Sequence, residues 1–194
     1  MRTGLLGGTF DPPHLGHWLA AVDAYEALGL DRLVFVPAAN QPLKTGAGSA
    51  PAADRLAMVR AMVAGDPRFE VDPIEIDRQG LSFTVDTLEA YRRKPGVDEL
   101  FFIIGADVLA SFHRWREPER VQRLATLVVL RRDTDAVTLP PGVTARVLES
   151  RRVDISATEI RARVRAGLPV RGFVAETVAS HIAAAGLYSQ RNHA

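Results

Sequence analysis

Short apolar segments alternate with amphipathic segments along most of the chain. The apolar segments are rich in Val, Leu, Ile and Phe, a pattern typical of parallel strands that are covered on both faces. They predict strands over residues 3–8, 32–37, 69–76, 100–104, 126–130 and 145–148. Pro73 interrupts the third of these segments, because proline cannot donate a hydrogen bond to a neighbouring strand.

The amphipathic segments repeat their apolar residues every three or four positions, which is the period of a helix packed on one face. They predict helices over residues 15–28, 54–63, 84–93, 108–124, 156–165 and 174–187, the fourth of them broken near Pro118. Because strands and helices alternate, we expect an α/β fold of the Rossmann-like type. This is an open, mostly parallel sheet with helices on both faces.

The length of 194 residues suits one domain, and we expect a single domain over residues 1–194 with a small helical carboxy-terminal part from about residue 156. Ligands bind such sheets beyond the carboxyl ends of the strands. The loops after Gly8, Pro37 and Gly105 are therefore the expected place for a site. The stretch 40–51 is polar and rich in Gly and Pro, which predicts a mobile loop there.

Composition excludes several classes of protein. The net charge is only +1, whereas a general nucleic-acid binder usually carries a stronger basic balance. There is no cysteine, which excludes disulfides and thiolate metal sites. The first apolar run is too short for a signal peptide, and no stretch approaches the roughly 20 apolar residues of a membrane helix. We expect a cytoplasmic protein with no nucleic-acid or membrane partner.

The loop from the first strand into the first helix has the sequence GGTFDPPHLGH, which matches neither the dinucleotide fingerprint nor the P-loop. Gly7 and Gly8 let the backbone approach a phosphate closely. His14 and His17 stand three residues apart where the helix begins, so both imidazoles can face an anion bound at the helix terminus. Gly16 leaves that approach open. In the alternative interpretation one histidine caps the helix and the other packs in the core; a zinc site lacks a third nearby ligand.

The segment DISATEIR, near the carboxy-terminus, resembles the start of another helix. Ser156 is a good N-cap, and Glu159 follows at the spacing of a capping box, which by itself is a purely structural role. Arg161 lies one turn into the same helix, beside the hydroxyls of Ser156 and Thr158. A planar guanidinium next to a free helix terminus predicts a second phosphate site.

Together these two segments resemble the HxGH and ISxTxIR signatures of the nucleotidylyltransferase superfamily, and the longer form resembles the bacterial nicotinate mononucleotide adenylyltransferases. The resemblance implies the nucleotidylyltransferase type of Rossmann-like fold. It also implies that His14 and His17 contact ATP phosphates and stabilise the transition state, while Thr9 and Phe10 supply backbone along the phosphate path. Ser156, Thr158 and Arg161 would bind the β- and γ-phosphates.

The acceptor side is predicted from three further segments. Lys44, in the loop after the second strand, could hold the acceptor's phosphate, with a solvated loop lysine as the alternative. The segment after the fourth strand, with Gly105 and Asp107, resembles the family's GAD motif. Asp107 can accept hydrogen bonds from ribose hydroxyls or from a water molecule behind them, and Trp115 is expected to stack on the pyridine ring, with burial in the core as the alternative. Thr84 belongs to a segment similar to the family's SxTxDTL motif, whose free N–H groups would favour a carboxylate.

The resemblance implies adenylyl transfer from ATP to nicotinate mononucleotide, with Mg²⁺ held through the ATP phosphates and no metal site made by the protein. The partners would be ATP and nicotinate mononucleotide, with a homo-oligomer as a possibility. Two alternatives remain at this point. One is the same chemistry on nicotinamide mononucleotide or phosphopantetheine, and the other is a non-catalytic nucleotide sensor on the same fold.

Overall fold

The computed structural model describes residues 1–40, 49–131 and 137–189. Within these ranges six strands form one sheet in the order β3-β2-β1-β4-β5-β6, and every neighbouring pair is parallel. The strands are β1 (Arg2–Gly8), β2 (Arg32–Pro37), β3 (Phe69–Val71), β4 (Glu99–Gly105), β5 (Thr126–Arg131) and β6 (Arg146–Glu149). The open parallel sheet that the alternating pattern predicted is confirmed.

The described ranges contain eight α-helices and one short 3₁₀ helix, and the last two helices follow β6. They are α1 (Leu15–Leu28), α2 (Ala52–Val63), α3 (Ile74–Arg78), α4 (Thr84–Arg92), α5 (Ala106–Leu109), the 3₁₀ helix Phe112–Arg114, α6 (Pro118–Leu124), α7 (Ala157–Arg165) and α8 (Glu176–Ala184). None of these helices combines the length and the apolar character needed to cross a membrane.

Each face of the sheet carries its own apolar core, because successive residues of a strand point to opposite faces. Leu6 belongs to a cluster that α1, α2, α7 and α8 cover, with Met58 and Ile160 among its buried members. Its neighbour Leu5 belongs to the other cluster, which α4 and α6 cover through Leu88 and Val121. The sheet therefore has helices on both faces, as expected.

The order of the strands reverses at β1. This strand pairs with β2 on one side and with β4 on the other, so Leu5 lies opposite both Val34 and Phe102. Connections leave this point in opposite directions, which opens a crevice at the carboxyl ends of the strands. The turn after β1 and the loops after β2 and β4 all meet at that edge.

The strand predicted over residues 69–76 is wrong in its second half. β3 ends at Val71, Pro73 occupies the N-cap of α3, and the following residues are helical. The Asp72 carboxylate accepts the backbone N–H of Ile74 at 3.0 Å, which satisfies a free donor of that helix. Pro118 likewise begins a helix at its first position, where its missing N–H costs nothing.

Candidate active site

The turn after β1 brings its backbone to the carboxyl edge of the sheet. Phe10 has a positive φ of 50° and a side chain that is only 2% exposed. A Cβ on Gly8 would lie 3.0 Å from the Phe10 ring, so the residue before Thr9 must be small. A Cβ on Gly7 would make only ordinary contact with Phe102, at 3.5 Å. The tight turn places Thr9 and Phe10 directly ahead of α1.

The two histidines lie together at the amino terminus of α1. Their ring centroids are 3.8 Å apart, and His14 donates its backbone N–H to Nδ1 of His17 at 3.2 Å. His14 is the N-cap residue and is only 5% exposed, whereas His17 is half-buried. The edge of Phe10 packs on the His17 ring at a centroid distance of 5.0 Å. His14 thus occupies the N-cap, as in the alternative in which one histidine has a purely structural role. The two rings are nevertheless in contact.

Gly16 lies between His14 and His17 in the first turn of α1 and faces the segment before α7. A Cβ at this position would lie 3.0 Å from the His14 ring and 3.8 Å from the backbone oxygen of Ile155. The start of α1 therefore lies next to the segment before α7, and the tight contact of an added Cβ would be with the His14 ring. This approach of the two segments is the first of two contacts that join the amino-terminal and carboxy-terminal halves of the candidate site.

The second contact is made by Arg161. Its Nη1 donates to the backbone carbonyl of Asp11 at 2.6 Å, and its Nη2 donates to Oγ1 of Thr158 at 3.2 Å. Ser156 is the N-cap of α7, where its hydroxyl accepts the backbone N–H of Glu159 at 3.1 Å. The guanidinium is thus anchored on the turn that leads into α1. The structure brings the predicted second phosphate site against the first.

Asp11 links four separate parts of the chain, and the sequence analysis did not select it. Its Oδ1 accepts the backbone N–H of Ala50 at 3.0 Å and the hydroxyl of Tyr188 at 2.7 Å. Its Oδ2 lies 3.8 Å from Nη1 of Arg161, and the residue is only 7% exposed. Asp11 is part of the segment GGTFDPPHLGH, which could have drawn attention to it. Its partners are distant in sequence, so the sequence could not reveal its contacts.

Arg55 is a second residue that the sequence analysis missed. It is 3% exposed, and its guanidinium donates to the backbone oxygens of Thr9 and Ala38 at 2.8 and 2.7 Å. It donates also to Ala39 at 2.9 Å and to Ala50 at 3.2 Å. Burial lowers the pKa of this guanidinium, and the negative charge of Asp11 opposes that shift. A charged residue on the apolar face of a predicted helix was the signal that could have revealed it.

The acceptor-side residues lie around the ends of β4 and α4. A Cβ on Gly105 would collide with the carboxylate of Asp107, which is itself exposed in α5. Trp115 is half-buried and packs against Phe112, with ring centroids 5.2 Å apart. Thr84 is the first residue of α4 and is half-buried. Lys44 lies outside the described residues.

The start of α4 is fastened to the end of β2. Ser82 Oγ accepts the backbone N–H of Ala39 at 2.9 Å, and its own N–H donates to the carbonyl of Asn40 at 2.9 Å. Below it, the Thr87 hydroxyl donates to the buried carboxylate of Glu75 at 2.7 Å, and burial raises the pKa of that carboxyl. These bonds hold the start of α4, which is predicted to bind the acceptor, at the same edge of the sheet as the turn after β1.

Comparisons with known proteins identify the family to which the chain belongs. Residues 5–163 match the cytidylyltransferase-like family model. The chain is 51% identical to a protein of Gemmatimonas aurantiaca over 98% of this chain and 93% of the relative, and 47% identical to a protein of Thermus thermophilus over 97% and 100%. Both relatives carry the name "Probable nicotinate-nucleotide adenylyltransferase". The chain belongs to the nicotinate-nucleotide adenylyltransferase family.

Solved structures share the fold of this adenylyltransferase family member. The Plasmodium falciparum nicotinic acid mononucleotide adenylyltransferase complexed with NaAD superposes with a TM-score of 0.79 at 14% identity, covering 96% of this chain and 97% of the other. The same enzyme complexed with APC gives a TM-score of 0.77 at 14% identity, over 96% of both chains. At that identity the likeness concerns the fold alone.

In this family member the predicted residues form two groups at one edge of the sheet. The first group comprises the residues predicted to bind phosphate, which are the glycines of the turn, both histidines and Arg161. Contacts of Asp11 and Gly16 connect its amino-terminal and carboxy-terminal members. The second group comprises the residues predicted to bind the acceptor substrate, which follow β4 or begin α4: Thr84, Gly105, Asp107 and Trp115.

Proposed function

We propose that this chain transfers the adenylyl group of ATP to nicotinate mononucleotide, giving nicotinate adenine dinucleotide and pyrophosphate. The observation that carries the proposal is the contact of three cationic or hydrogen-bonding groups at one helix terminus. His14 and His17 pack ring to ring there, and Arg161 is bonded to Asp11 of the same turn at 2.6 Å. The membership of the chain in the adenylyltransferase family supports the same reaction.

ATP would bind with its triphosphate along the turn after β1. The backbone from Gly7 to Phe10 and the amino terminus of α1 favour an anion there. His14 and His17 donate hydrogen bonds to the phosphate oxygens on which charge grows in the transition state. The guanidinium of Arg161 and the hydroxyls of Ser156 and Thr158 hold the β- and γ-phosphates, which leave together.

The reaction itself is a single in-line displacement at phosphorus. A phosphate oxygen of the acceptor forms a bond to the α-phosphorus as the bond from that atom to the β-phosphate oxygen breaks. Both electrons of the broken bond remain on the departing pyrophosphate. The protein contributes position and electrostatic stabilisation, and no covalent intermediate with a side chain is needed.

Nicotinate mononucleotide would occupy the acceptor group of residues. We assign ring stacking to Trp115, ribose contacts to Asp107 beside Gly105, and the nicotinate carboxylate to the amino terminus of α4 at Thr84. Lys44 would hold the acceptor phosphate. A helix amino terminus offers N–H donors only, which fits a carboxylate better than the amide of nicotinamide.

We assign Mg²⁺ to this reaction as a cation carried by the triphosphate. Within residues 1–40, 49–131 and 137–189, His, Asp and Glu side chains form no cluster of three that could hold a metal ion. We assign its ligands to phosphate oxygens and water, as is usual for Mg²⁺ with nucleotides. When bound, the ion neutralises part of the charge that the leaving pyrophosphate carries.

The deciding experiment is a pyrophosphate-release assay with ATP and three acceptors in parallel: nicotinate mononucleotide, nicotinamide mononucleotide and phosphopantetheine. We expect nicotinate mononucleotide to have the highest kcat/KM. Preference for another acceptor would overturn the assignment of the substrate, and release with none of them would favour a nucleotide sensor. We infer that the reaction takes place in the cytoplasm and that residues 1–194 form one domain. Light scattering of the same sample measures the molar mass and so tests for a homo-oligomer.

A further inference from the structure

The hydroxyl of Tyr188 reaches the candidate active site from the far end of the chain. It donates to Oδ1 of Asp11 at 2.7 Å, although 177 positions separate the two residues. Tyr188 follows α8 and has a φ of 62°, a left-handed conformation that costs free energy for any residue with a Cβ. Packing and this hydrogen bond must therefore hold it there. The aromatic ring packs on the same core as α1 and α7.

Asp11 connects Tyr188 to Arg161, the residue assigned to the β- and γ-phosphates. Its backbone carbonyl accepts Nη1 of Arg161 at 2.6 Å, while its Oδ2 stays 3.8 Å from the same nitrogen. Its Oδ1 is shared between Tyr188 and the backbone N–H of Ala50, at 2.7 and 3.0 Å. The carboxylate is thus held at ion-pair distance from Arg161, while the hydrogen bond of Nη1 goes to the backbone carbonyl.

We propose that Tyr188 is a positioning residue for Arg161. Its hydroxyl holds the Asp11 carboxylate, and so keeps the Arg161 guanidinium on the Asp11 carbonyl with donors left for phosphate. This inference rests on the proposed function. Without the hydroxyl, the carboxylate can rotate towards Arg161 and form a bidentate pair with it, which is the geometry that guanidinium and carboxylate prefer. Such a pair competes with the triphosphate for the same donors.

The chain contains a matched control for this bond. Tyr91 is 2% exposed, and its hydroxyl donates to Oδ2 of Asp72 at 2.6 Å. That carboxylate also accepts a hydrogen bond from Lys94 Nζ at 2.6 Å, and it lies just after the edge strand β3, beside α4. Tyr91→Phe therefore deletes the same kind of partly buried tyrosine–carboxylate hydrogen bond as Tyr188→Phe, without changing the contacts of Asp11 or Arg161.

The test compares the wild type, Tyr188→Phe and Tyr91→Phe in the pyrophosphate-release assay at a temperature well below both melting points. We expect Tyr188→Phe to lower kcat about tenfold while KM for the acceptor changes little, because phosphate geometry is lost and acceptor binding is not. Tyr91→Phe should keep the wild-type kcat. Equal kcat values for the two variants would overturn the inference.

A double-mutant cycle with Arg161→Lys identifies the group through which Tyr188 acts. A lysine cannot form the bidentate pair, so Tyr188→Phe should cost at least threefold less in the Arg161→Lys background than in the wild type. Tyr91→Phe should have the same effect in both backgrounds. Equal losses from Tyr188→Phe in both backgrounds would show that Tyr188 does not work through Arg161.

Hydrogen exchange separates this inference from the proposed function. The Ala50 N–H loses its acceptor if Asp11 rotates, so peptides covering residues 49–58 should exchange faster in Tyr188→Phe than in Tyr91→Phe. An inactive wild type would refute the adenylyl transfer and leave this measurement to decide whether Tyr188 holds Asp11. Unchanged exchange at Ala50 in Tyr188→Phe would refute the positioning role whatever the enzyme's activity.

Discussion

The imidazole rings of His14 and His17 lie with their centroids 3.8 Å apart and their planes tilted by 36°. The backbone N–H of His14 is bonded to the side chain of His17, so the orientation of one ring depends on the position of the other residue. His14 is buried at the N-cap, and His17 is the more accessible of the two.

His17→Ala should lower kcat about 100- to 1,000-fold, because one donor to the developing phosphate charge is removed from a preorganised site. KM for ATP should change much less. The measurement is pyrophosphate release at saturating ATP. His181→Gln is the control, since His181 contacts Asp54 at 3.0 Å between α8 and α2 and has no assigned role in the reaction. Full turnover by His17→Ala with normal ATP binding would contradict the assigned role.

Gly16→Ala should lower activity without lowering stability. The added methyl group would stand 3.0 Å from the His14 ring, which must then move by a few tenths of an ångström. A shift of that size is expected to cost about 3- to 10-fold in kcat. Alanine in place of glycine favours a helix by about 0.5–1 kcal/mol, so the melting temperature should stay the same or rise. Calorimetry measures the melting temperature, and steady-state kinetics on the same preparation measures kcat. A wild-type kcat in Gly16→Ala would refute the steric argument.

Arg55→Lys should destabilise the protein by about 2–4 kcal/mol, because an ammonium cannot reach the four backbone oxygens that the guanidinium serves and some would remain buried without a donor. Arg60→Lys, at an exposed position of the same helix, should change stability by less than about 0.5 kcal/mol. Urea unfolding of both variants measures the difference. Similar midpoints for the two variants would show that the buried guanidinium contributes little.

Glu75→Gln should stabilise the protein at neutral pH. Burial raises the pKa of Glu75, so the native state binds the proton more tightly than the unfolded chain does. Stability from this group is fully present below its ordinary pKa of 4.5 and is lost as the pH rises through the raised native value. The amide stays neutral and its oxygen can still accept from Thr87, so the melting temperature should rise by about 2–4 °C at pH 7.5.

The gain from Glu75→Gln should shrink as the pH falls towards 4.5, where the carboxyl of the wild type is protonated in the native state. Glu119→Gln, at an exposed position of α6, is the control and should show no such dependence on pH. Melting curves at several pH values test both variants. A gain that is independent of pH would mean that something other than the buried charge is responsible.

Much of the fold could be predicted from the chain because its strands and helices are defined by local periodicity. Residues 15–28 and 32–37 have the predicted bounds, and most of the other elements differ mainly at their ends. The helical segment predicted over residues 108–124 is more divided than expected, because α5 ends at Leu109 and a short 3₁₀ helix, Phe112–Arg114, precedes α6 at Pro118. The failure at 69–76 is also local in origin. An apolar run that contains a proline can end a strand and begin a helix, and the Asp72 side chain favoured the helix by accepting the Ile74 N–H.

The sequence by itself determined the order of the elements, the two glycine-flanked histidines and the Ser-Thr-Arg segment, since each of these depends on residues within one or two turns of one another. Only the tertiary structure decided that Arg161 binds the Asp11 carbonyl, that Arg55 joins the loops after β1 and β2, and that Tyr188 returns to Asp11. These contacts join residues far apart in the chain, and packing of the helices on the sheet sets their distances. Periodicity and spacing carry no information about that packing.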